Sequence, residues 1–560
     1  MQPLWLKHYP QGVPAKIDIR RFASLKDLFE QSCARYSARP AFTNLGVSLG
    51  YDDIDRLSRA FAAYLQQELG LVKGQRVAFM LPNLLQYPVA LFGALRAGLT
   101  VVNVNPLYTA RELRHQLADS GAVAIMVLEN FAHTLQDVIA ETAVRHVVTT
   151  QVGDLFPPLK RSLVNLVVKH VKCMVPRWNL PGAMAFNDAL QTGARHALTE
   201  VALGPDDIAF LQYTGGTTGA AKGTILSHGN LVANVEQTSA WIGGAFREGE
   251  EVVVTPLPLY HIFALTANLL TFVKWGANNV LITNPRDIPG FIKELKKTRF
   301  TVITGVNTLY RMLLDAPGFA GVKAANGDAL KVAVAGGMSL HPTVAERWQR
   351  VWGVPLIEGY GLTEASPIVS ANPLDATAFS GAIGLPLPST EILLRDEAGR
   401  EAAPGQPGEL CVRGPQVMRG YWNMPEETAR VLDAEGWLAT GDVVSMDERG
   451  YLYFVDRKKD VIVVSGFKVW PAEVEDVLLH LPGVKEAGVA GVPDEKSGEA
   501  VWAWVVKSDP TLTAQRIIDV CHAQLAHYKT PHRVIFRDNL PKSPIGKILR
   551  RRLKEEALSA

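Results

Sequence analysis

A chain of 560 residues exceeds what one hydrophobic core holds, so two or more domains are expected. With 48% hydrophobic and 20% charged residues the composition is that of a globular enzyme and excludes a disordered or fibrous chain. A net charge of +2 argues against nucleic acid as a partner, which would need a concentrated basic surface.

Cys33, Cys173, Cys411 and Cys521 lie far apart with no C-x-x-C, which excludes a zinc ribbon and fits a reduced, cytoplasmic chain. The first ten residues lack a basic n-region and an apolar h-region, so no secretory signal is expected. No apolar stretch of spanning length is found; the run from Tyr87 to Val104 is broken by Arg96 and several glycines.

Residues 26–70 read as two amphipathic helices around a strand pair at Ala41–Tyr51. Residues 73–128 alternate strands and helices: a strand at Arg76–Met80, a helix to about Ala97, a strand at Val101–Val104, a helix from Arg111 and a strand at Val123–Leu128. This is the layered pattern of an α/β fold with a largely parallel sheet, and it recurs over 251–360 with strands near Val252, Val280, Val302 and Val332. Between these blocks, Leu163, Val167, Val171, Met174 and Val175 recur at helical spacing, interleaved with Lys169, His170 and Lys172 and flanked by Lys160, Arg161, Arg177 and Trp178. A basic amphipathic helix over 160–178 has two readings: contact with an anionic membrane surface, or a partly buried helix with a solvated basic face.

The run Tyr213-Thr-Gly-Gly-Thr-Thr-Gly-Ala-Ala-Lys222-Gly223 packs four glycines, three threonines and a lysine into eleven residues. Glycines let backbone N–H groups turn toward phosphate oxygens, threonine hydroxyls donate to them or bind a metal, and the lysine adds charge. The run therefore reads as a triphosphate cradle. It is not a Walker loop, because Ala220 and Ala221 precede Lys222 and Gly223 stands where Ser or Thr is required. Extended runs on both sides predict a hairpin, with a helix only from about Gly229.

Residues 380–455 change character: Gly and Pro punctuate short alternating runs such as Gly408–Arg413, predicting an antiparallel β subdomain. The charged run Asp456-Arg-Lys-Lys-Asp460 marks a boundary, after which strand, helix, two strands, helix and a basic tail follow. The expected organisation is an N-terminal domain over 1–456, a hinge at 457–461 and a C-terminal domain over 462–560. The fold class is α/β: a large N-terminal domain of layered α/β subdomains plus a β subdomain, with a small mobile α+β C-terminal domain.

Several further clusters follow the cradle in order: Pro258-Leu-Tyr-His261, Ala335-Gly-Gly-Met338, Glu358-Gly-Tyr-Gly-Leu-Thr-Glu364, Thr440-Gly-Asp442, Asp456-Arg457 and Pro541-Lys-Ser-Pro-Ile-Gly-Lys547. In this order and spacing they resemble the adenylate-forming superfamily of acyl-CoA synthetases, luciferases and peptide-synthetase adenylation domains, over nearly the whole chain. Gly436-Trp-Leu-Ala-Thr-Gly-Asp442 through Tyr451-Leu-Tyr-Phe-Val-Asp-Arg-Lys-Lys459 resembles the fatty acyl-CoA synthetase signature, with Ala439 where that family usually has His. The stretches from Asn83, from Val102 and from Ile282 are similar to the bacterial long-chain fatty acid–CoA ligases of fatty acid degradation.

The resemblance implies that a fatty carboxylate attacks the α-phosphorus of ATP, giving acyl-adenylate and pyrophosphate, and that coenzyme A then displaces AMP. It implies that Thr214, Gly215, Gly216, Thr217, Thr218, Gly219, Lys222 and Gly223, with Tyr213 at their edge, hold the β- and γ-phosphates. Glu364 is the expected Mg²⁺ ligand, with Thr214 as its hydroxyl partner. Gly337, Met338, Glu358, Gly359 and Tyr360 map to the adenine pocket, and Gly361 and Thr363 continue the same AMP-binding segment. Asp442 is expected at the ribose hydroxyls, reinforced by Arg457. Lys547 is the expected catalytic cation, and Lys459 the hinge about which the small domain rotates between half-reactions. Rotation would bring in a Ser465-Gly466-Phe467 strand, with Gly466 lining a CoA channel. His261, expected to move with the reaction step, would border an acyl pocket with Phe263 and Leu265; for these three, plain core packing is the competing reading. Lys542 and Arg550, Arg551 and Arg552 are alternative contacts for CoA phosphates. Expected partners are fatty acid, ATP and CoA, with a homodimer as one assembly. The expected location is the cytoplasm, with peripheral contact at the inner face of the cell membrane as the alternative.

Overall fold

Runs rich in valine and isoleucine form strands buried on both faces, the pattern of parallel sheets covered by helices. In the computed structural model, which describes residues 3–214, 221–403, 405–465, 467–494, 496–543 and 546–559, two such sheets carry the large domain. The first is parallel from Leu356–Gly361 through Val332–Ala335, Val302–Gly305, Val252–Thr255 and Asn278–Leu281 to Pro40–Asn44, with antiparallel strands at both edges. The second is parallel from Ile208–Thr214 through Thr100–Asn103, Arg76–Met80, Ala124–Leu128 and His146–Thr150. Helices Leu25–Tyr36, Tyr51–Gln67, Gln86–Arg96 and Phe186–Gly193 pack among themselves in the main core. Gly193 is required there, since a Cβ would lie 1.9 Å from the Ala60 carbonyl oxygen on the neighbouring helix.

The β subdomain is an antiparallel sheet of Glu391–Arg395, Gly408–Arg413, Leu438–Met446 and Leu452–Arg457. Arg457 ends the last of these strands, and Ile462–Val464 opens the sheet of the small domain, so the chain crosses between domains over 458–461. The small domain has its own core around Ile462, Val489, Val505 and Ile517.

Two expectations need correction. The basic helix is shorter than its apolar spacing predicts: Pro158–Leu166 continues as a π-helical turn, Val167–Val171, and Cys173 at φ 51° turns the chain away, so Met174 and Val175 lie beyond the helix. Residues 465–467 are not one strand either. Strands Ile462–Val464 and Phe467–Val469 are the two arms of a hairpin, with Ser465 at φ 50° directly after the first; Gly466 lies outside the described residues.

Candidate active site

The hairpin forms as its flanks predict: Ile208–Thr214 and Lys222–Ser227 pair antiparallel, with Thr214 opposite Lys222 and Tyr213 opposite Gly223. Gly215, Gly216, Thr217, Thr218 and Gly219 lie outside the described residues. Ser227 then caps helix His228–Ile242 by accepting from the Asn230 amide at 3.2 Å. At the hairpin, Lys222 Nζ sits 2.5 Å from Glu427 and over the Tyr421 ring. Gly223 serves packing: a Cβ there would meet the Tyr213 ring at 2.9 Å. The Tyr213 hydroxyl is committed to Asp119 at 2.5 Å, so this residue is a pillar of the cradle wall.

Thr214 and Lys222 open onto a cavity of about 2660 Å³ that runs along the seam of the two domains and into the large one. Parallel strands Val332–Ala335 and Leu356–Gly361 end at its rim, which places Gly337, Met338 and residues 358–361 there. Gly336, absent from the sequence-derived site, is a close-approach position, since a Cβ would meet the Phe263 ring at 3.1 Å and the Gly359 carbonyl at 3.3 Å. Gly361 likewise passes against the Pro367 carbonyl. Glu358 is buried, its carboxylate accepting from the Leu340 amide at 3.1 Å; burial pushes its pKa up to about 8, so it holds a proton at neutral pH. The adjacent Tyr360 donates its hydroxyl to Asp442 Oδ2 at 2.7 Å, and Arg457 Nε stands 3.2 Å from Asp442 Oδ1. Tyr360, Asp442 and Arg457 thus form one charged triad at the rim.

Thr363 and Glu364 form a short 3₁₀ turn that lines the same cavity. Glu364 Oε1 accepts from the Tyr421 hydroxyl at 2.8 Å, which orients the carboxylate. Thr214 lines the same cavity, and a carboxylate with a hydroxyl is a hard oxygen donor set of the kind that fits Mg²⁺.

The small domain inserts Lys547 into the same space. Gly546, at φ 84°, lets its loop press against the large domain, where a Cβ would lie 2.5 Å from the Thr308 hydroxyl. Burial, then the nearby Arg457, Arg550 and Lys459 cations, push the Lys547 ammonium down to about 7 against the opposing charge of Asp442. Lys459 also lines the cavity, its ammonium held low by burial and Arg457. Ser465 and Phe467 are not brought here; Phe467 stacks on Tyr528 of the small domain.

The basic tail is largely committed. Arg550 pairs with Glu475 at 2.6 Å, Asp456 at 3.0 Å and Asp460 at 3.2 Å, tying the tail helix to the last strand of the large domain. Lys542 pairs with Glu486 at 2.6 Å, which Arg311 of the large domain also holds at 2.8 Å. These ion pairs leave Lys542 and Arg550 poorly placed for CoA phosphates. They join residues distant in sequence, and no local pattern signals them.

Behind Gly336 the cavity becomes apolar. His261 and Phe263 stand at this opening. Burial pushes His261 down to about 4, so it is neutral, and its Nδ1 accepts from the Phe263 amide at 3.3 Å. Leu265 is fully buried in the main core and does not line the cavity. The lining is instead Trp241, Ile242, Phe246, Phe272, Val302 and Val332, drawn from three helices or loops and two strand starts. Sequence reasoning missed all six as pocket residues, because each is an ordinary core residue by pattern.

Comparison with known proteins follows the same outline. The AMP-binding enzyme family matches residues 29–422, and the AMP-binding enzyme C-terminal domain matches 473–547. A long-chain-fatty-acid–CoA ligase of Escherichia coli O157:H7 is 56% identical over 100% of this chain and 99% of its own. One from Haemophilus influenzae is 49% identical with the same coverage of 100% and 99%. Among solved structures, ATP-bound MatB from Rhodopseudomonas palustris, 27% identical, superposes with a TM-score of 0.82 over 95% of this chain and 98% of that one. The apo form of the same protein superposes with a TM-score of 0.71.

Proposed function

This chain belongs to the AMP-binding enzyme family, and from that premise we infer that it activates long-chain fatty acids to acyl-CoA through an acyl-adenylate, releasing AMP and pyrophosphate. One observation carries the reading. A single cavity joins a charged end, built from Glu364, Asp442, Arg457 and Lys547, to an apolar end lined by Trp241, Phe246 and Val332. A triphosphate and a fatty tail need those two environments at either side of one reacting carboxylate.

The first half-reaction joins two anions. The fatty carboxylate oxygen attacks the α-phosphorus, the bond from that phosphorus to the α,β-bridging oxygen breaks, and pyrophosphate leaves with that oxygen. No proton has to move, so alignment and charge neutralisation govern the rate. Lys547 would offset charge at the α-phosphate and the entering carboxylate. The Tyr360–Asp442–Arg457 triad suits a ribose, with Asp442 accepting its hydroxyls. Glu364 and Thr214 would hold Mg²⁺, which would supply charge neutralisation at the phosphates. His261, neutral and bonded to the backbone, orients the chain at the opening of the apolar channel and is not a cation.

In the second half-reaction the CoA sulfur attacks the acyl carbonyl and AMP leaves. Lys547 would occupy the space beside that carbonyl, so the small domain would have to turn about 458–461, with Lys459 as the hinge residue. The hairpin carrying Ser465 and Phe467 would then take its place.

The test is the product balance with ATP, Mg²⁺, CoA and fatty acids of graded length. AMP, pyrophosphate and acyl-CoA are expected in equal amounts, fastest with long chains. ADP as product would remove the adenylation reading, and a best rate with short or aromatic acids the long-chain one.

No helix among the described residues is long and apolar enough to cross a membrane. Peripheral contact from the cytoplasmic side is supported by helix 158–171. Leu159 is 90% exposed, Leu163 64% and Val171 68%, beside the exposed cations Lys169 and Lys172. Burying two leucines in a lipid surface is worth on the order of 3 kcal/mol or more. Leu159→Glu with Leu163→Glu is therefore expected to weaken co-sedimentation with phosphatidylglycerol vesicles at least tenfold, and neutralising Lys169 and Lys172 to reduce its salt dependence. Binding unchanged in both variants would remove the membrane contact.

A further inference from the structure

His341 of the large domain meets Asp476 and His480 of the small one across the seam. Each offers a ligand atom, and these atoms lie within 4.8 Å of one another. Asp476 and His480 are one turn apart on helix Pro471–His480 and so share a face. The imidazole rings of His341 and His480 are 5.1 Å apart at 39°.

The hydrogen bonds around the rings allow metal ligation through Nε2. His341 Nδ1 is 2.8 Å from the Thr343 hydroxyl, and His480 Nδ1 is 2.8 Å from the Asp476 carbonyl oxygen. A ring that donates Nδ1–H to an oxygen keeps its lone pair on Nε2, the arrangement that second-shell acceptors impose on ligating histidines. His341 Nε2 is buried and has no hydrogen-bond partner among the described residues. A buried ring nitrogen left in that state costs free energy that a metal ion would recover. The nearby Arg311 guanidinium opposes a cation, but it is engaged by Glu486 and the Lys485 carbonyl. Two imidazoles and a carboxylate, with water as fourth ligand, suit Zn²⁺ among the divalent ions. Asp476 and His480 are exposed, so their side chains can turn to close the remaining gap.

We propose that His341, Asp476 and His480 form a Zn²⁺ site that bridges the two domains and latches them in the arrangement that seats Lys547. Its ligands come from both domains, so a turn of the small domain would take the site apart. Its effect on turnover rests on the ligase reading: a bound ion would leave acyl-adenylate formation running and obstruct the turn that thioester formation needs.

The experiment has two arms on the full-length protein. In the first, Zn²⁺ alone is titrated against a chromophoric chelator. One tight ion per chain is expected, weakened at least tenfold in His341→Ala and again in His480→Ala. Unchanged affinity in both would overturn the site and move the ion elsewhere, for instance to the adjacent His522 and His527. This arm needs no activity, so it stands whether or not the ligase reading does. In the second, buffered Zn²⁺ is expected to slow thioester formation from supplied acyl-adenylate at least tenfold, to spare pyrophosphate release, and to lose its effect in His480→Ala. Equal inhibition of both steps, inhibition that persists in His480→Ala, or no inhibition with the site filled would each overturn the latch.

Discussion

Lys547→Ala is expected to slow acyl-adenylate formation by about 10²–10³-fold, the scale of losing one preorganised group aimed at developing charge. Thioester formation from supplied acyl-adenylate is expected to stay near wild type. The asymmetry follows from geometry. Lys547 enters the cavity on a loop of the small domain, against Thr308 and beside Asp442 and Arg457. It serves the step that runs in this domain arrangement and leaves with the loop when the domain turns. Stopped-flow release of pyrophosphate and separate single-turnover thioester formation read the two steps. Equal loss in both would contradict the assignment.

The same lysine sets a pH signature. In the substrate-free site its ammonium is pushed down to about 7 by burial first and neighbouring cations second. The protonated form is the active one, so kcat/KM for adenylation should fall as pH rises above about 7, and Lys547→Ala should lack that limb. Bound phosphate and carboxylate favour the ammonium, so the limb in kcat should lie at higher pH. The linkage has a definite sign. A lysine whose seated value lies below its free value of 10.5 binds fewer protons when seated. Without substrate, seating is therefore weakest below about pH 7 and strengthens as pH rises from there toward 10.5.

What was legible in the sequence was local. The Gly/Thr/Lys run lacked a Walker spacing and had extended flanks, so its hairpin could be read from residues 208–228 alone. Buried valine runs at Val252, Val302 and Val332 gave the parallel strands for the same reason. What was not legible was proximity between distant segments. Arg550 reads as one more cation in a basic tail, yet it bridges Asp456 and Glu475, 94 and 75 residues away. Gly336 reads as a turn, yet it is where Phe263 presses on the backbone. The helix over 158–171 kept its apolar spacing past its end because the spacing cannot register a turn at Cys173. Leu265 was placed in a pocket by its nearness to His261. The π-helical turn Ala264–Leu270 that follows carries it into the core, while the channel is lined from elsewhere.

That channel carries the second large prediction. Val332 and Val334 lie two residues apart on one strand and so face the same side, and both line the cavity. From Ala335 at the rim back to Val332 the strand spans about 10 Å, so the cavity runs from the reacting end toward the strand's start. Val334→Phe places a ring midway along it. Each methylene kept from burial forfeits about 0.8 kcal/mol, so excluding about four costs about 3 kcal/mol, or roughly 200-fold in kcat/KM. Hexadecanoate should lose that much, whereas hexanoate, which has far less tail to bury beyond the ring, should lose less. A small-to-large change inside a packed core also risks a general loss of 1–3 kcal/mol in stability. The ratio between the two acids is therefore the quantity to measure, since an unfolding defect lowers both rates together. A ratio unchanged from wild type would show that the tail runs elsewhere. A ratio inverted toward the short acid would identify the strand Val332–Ala335 as the wall that measures chain length.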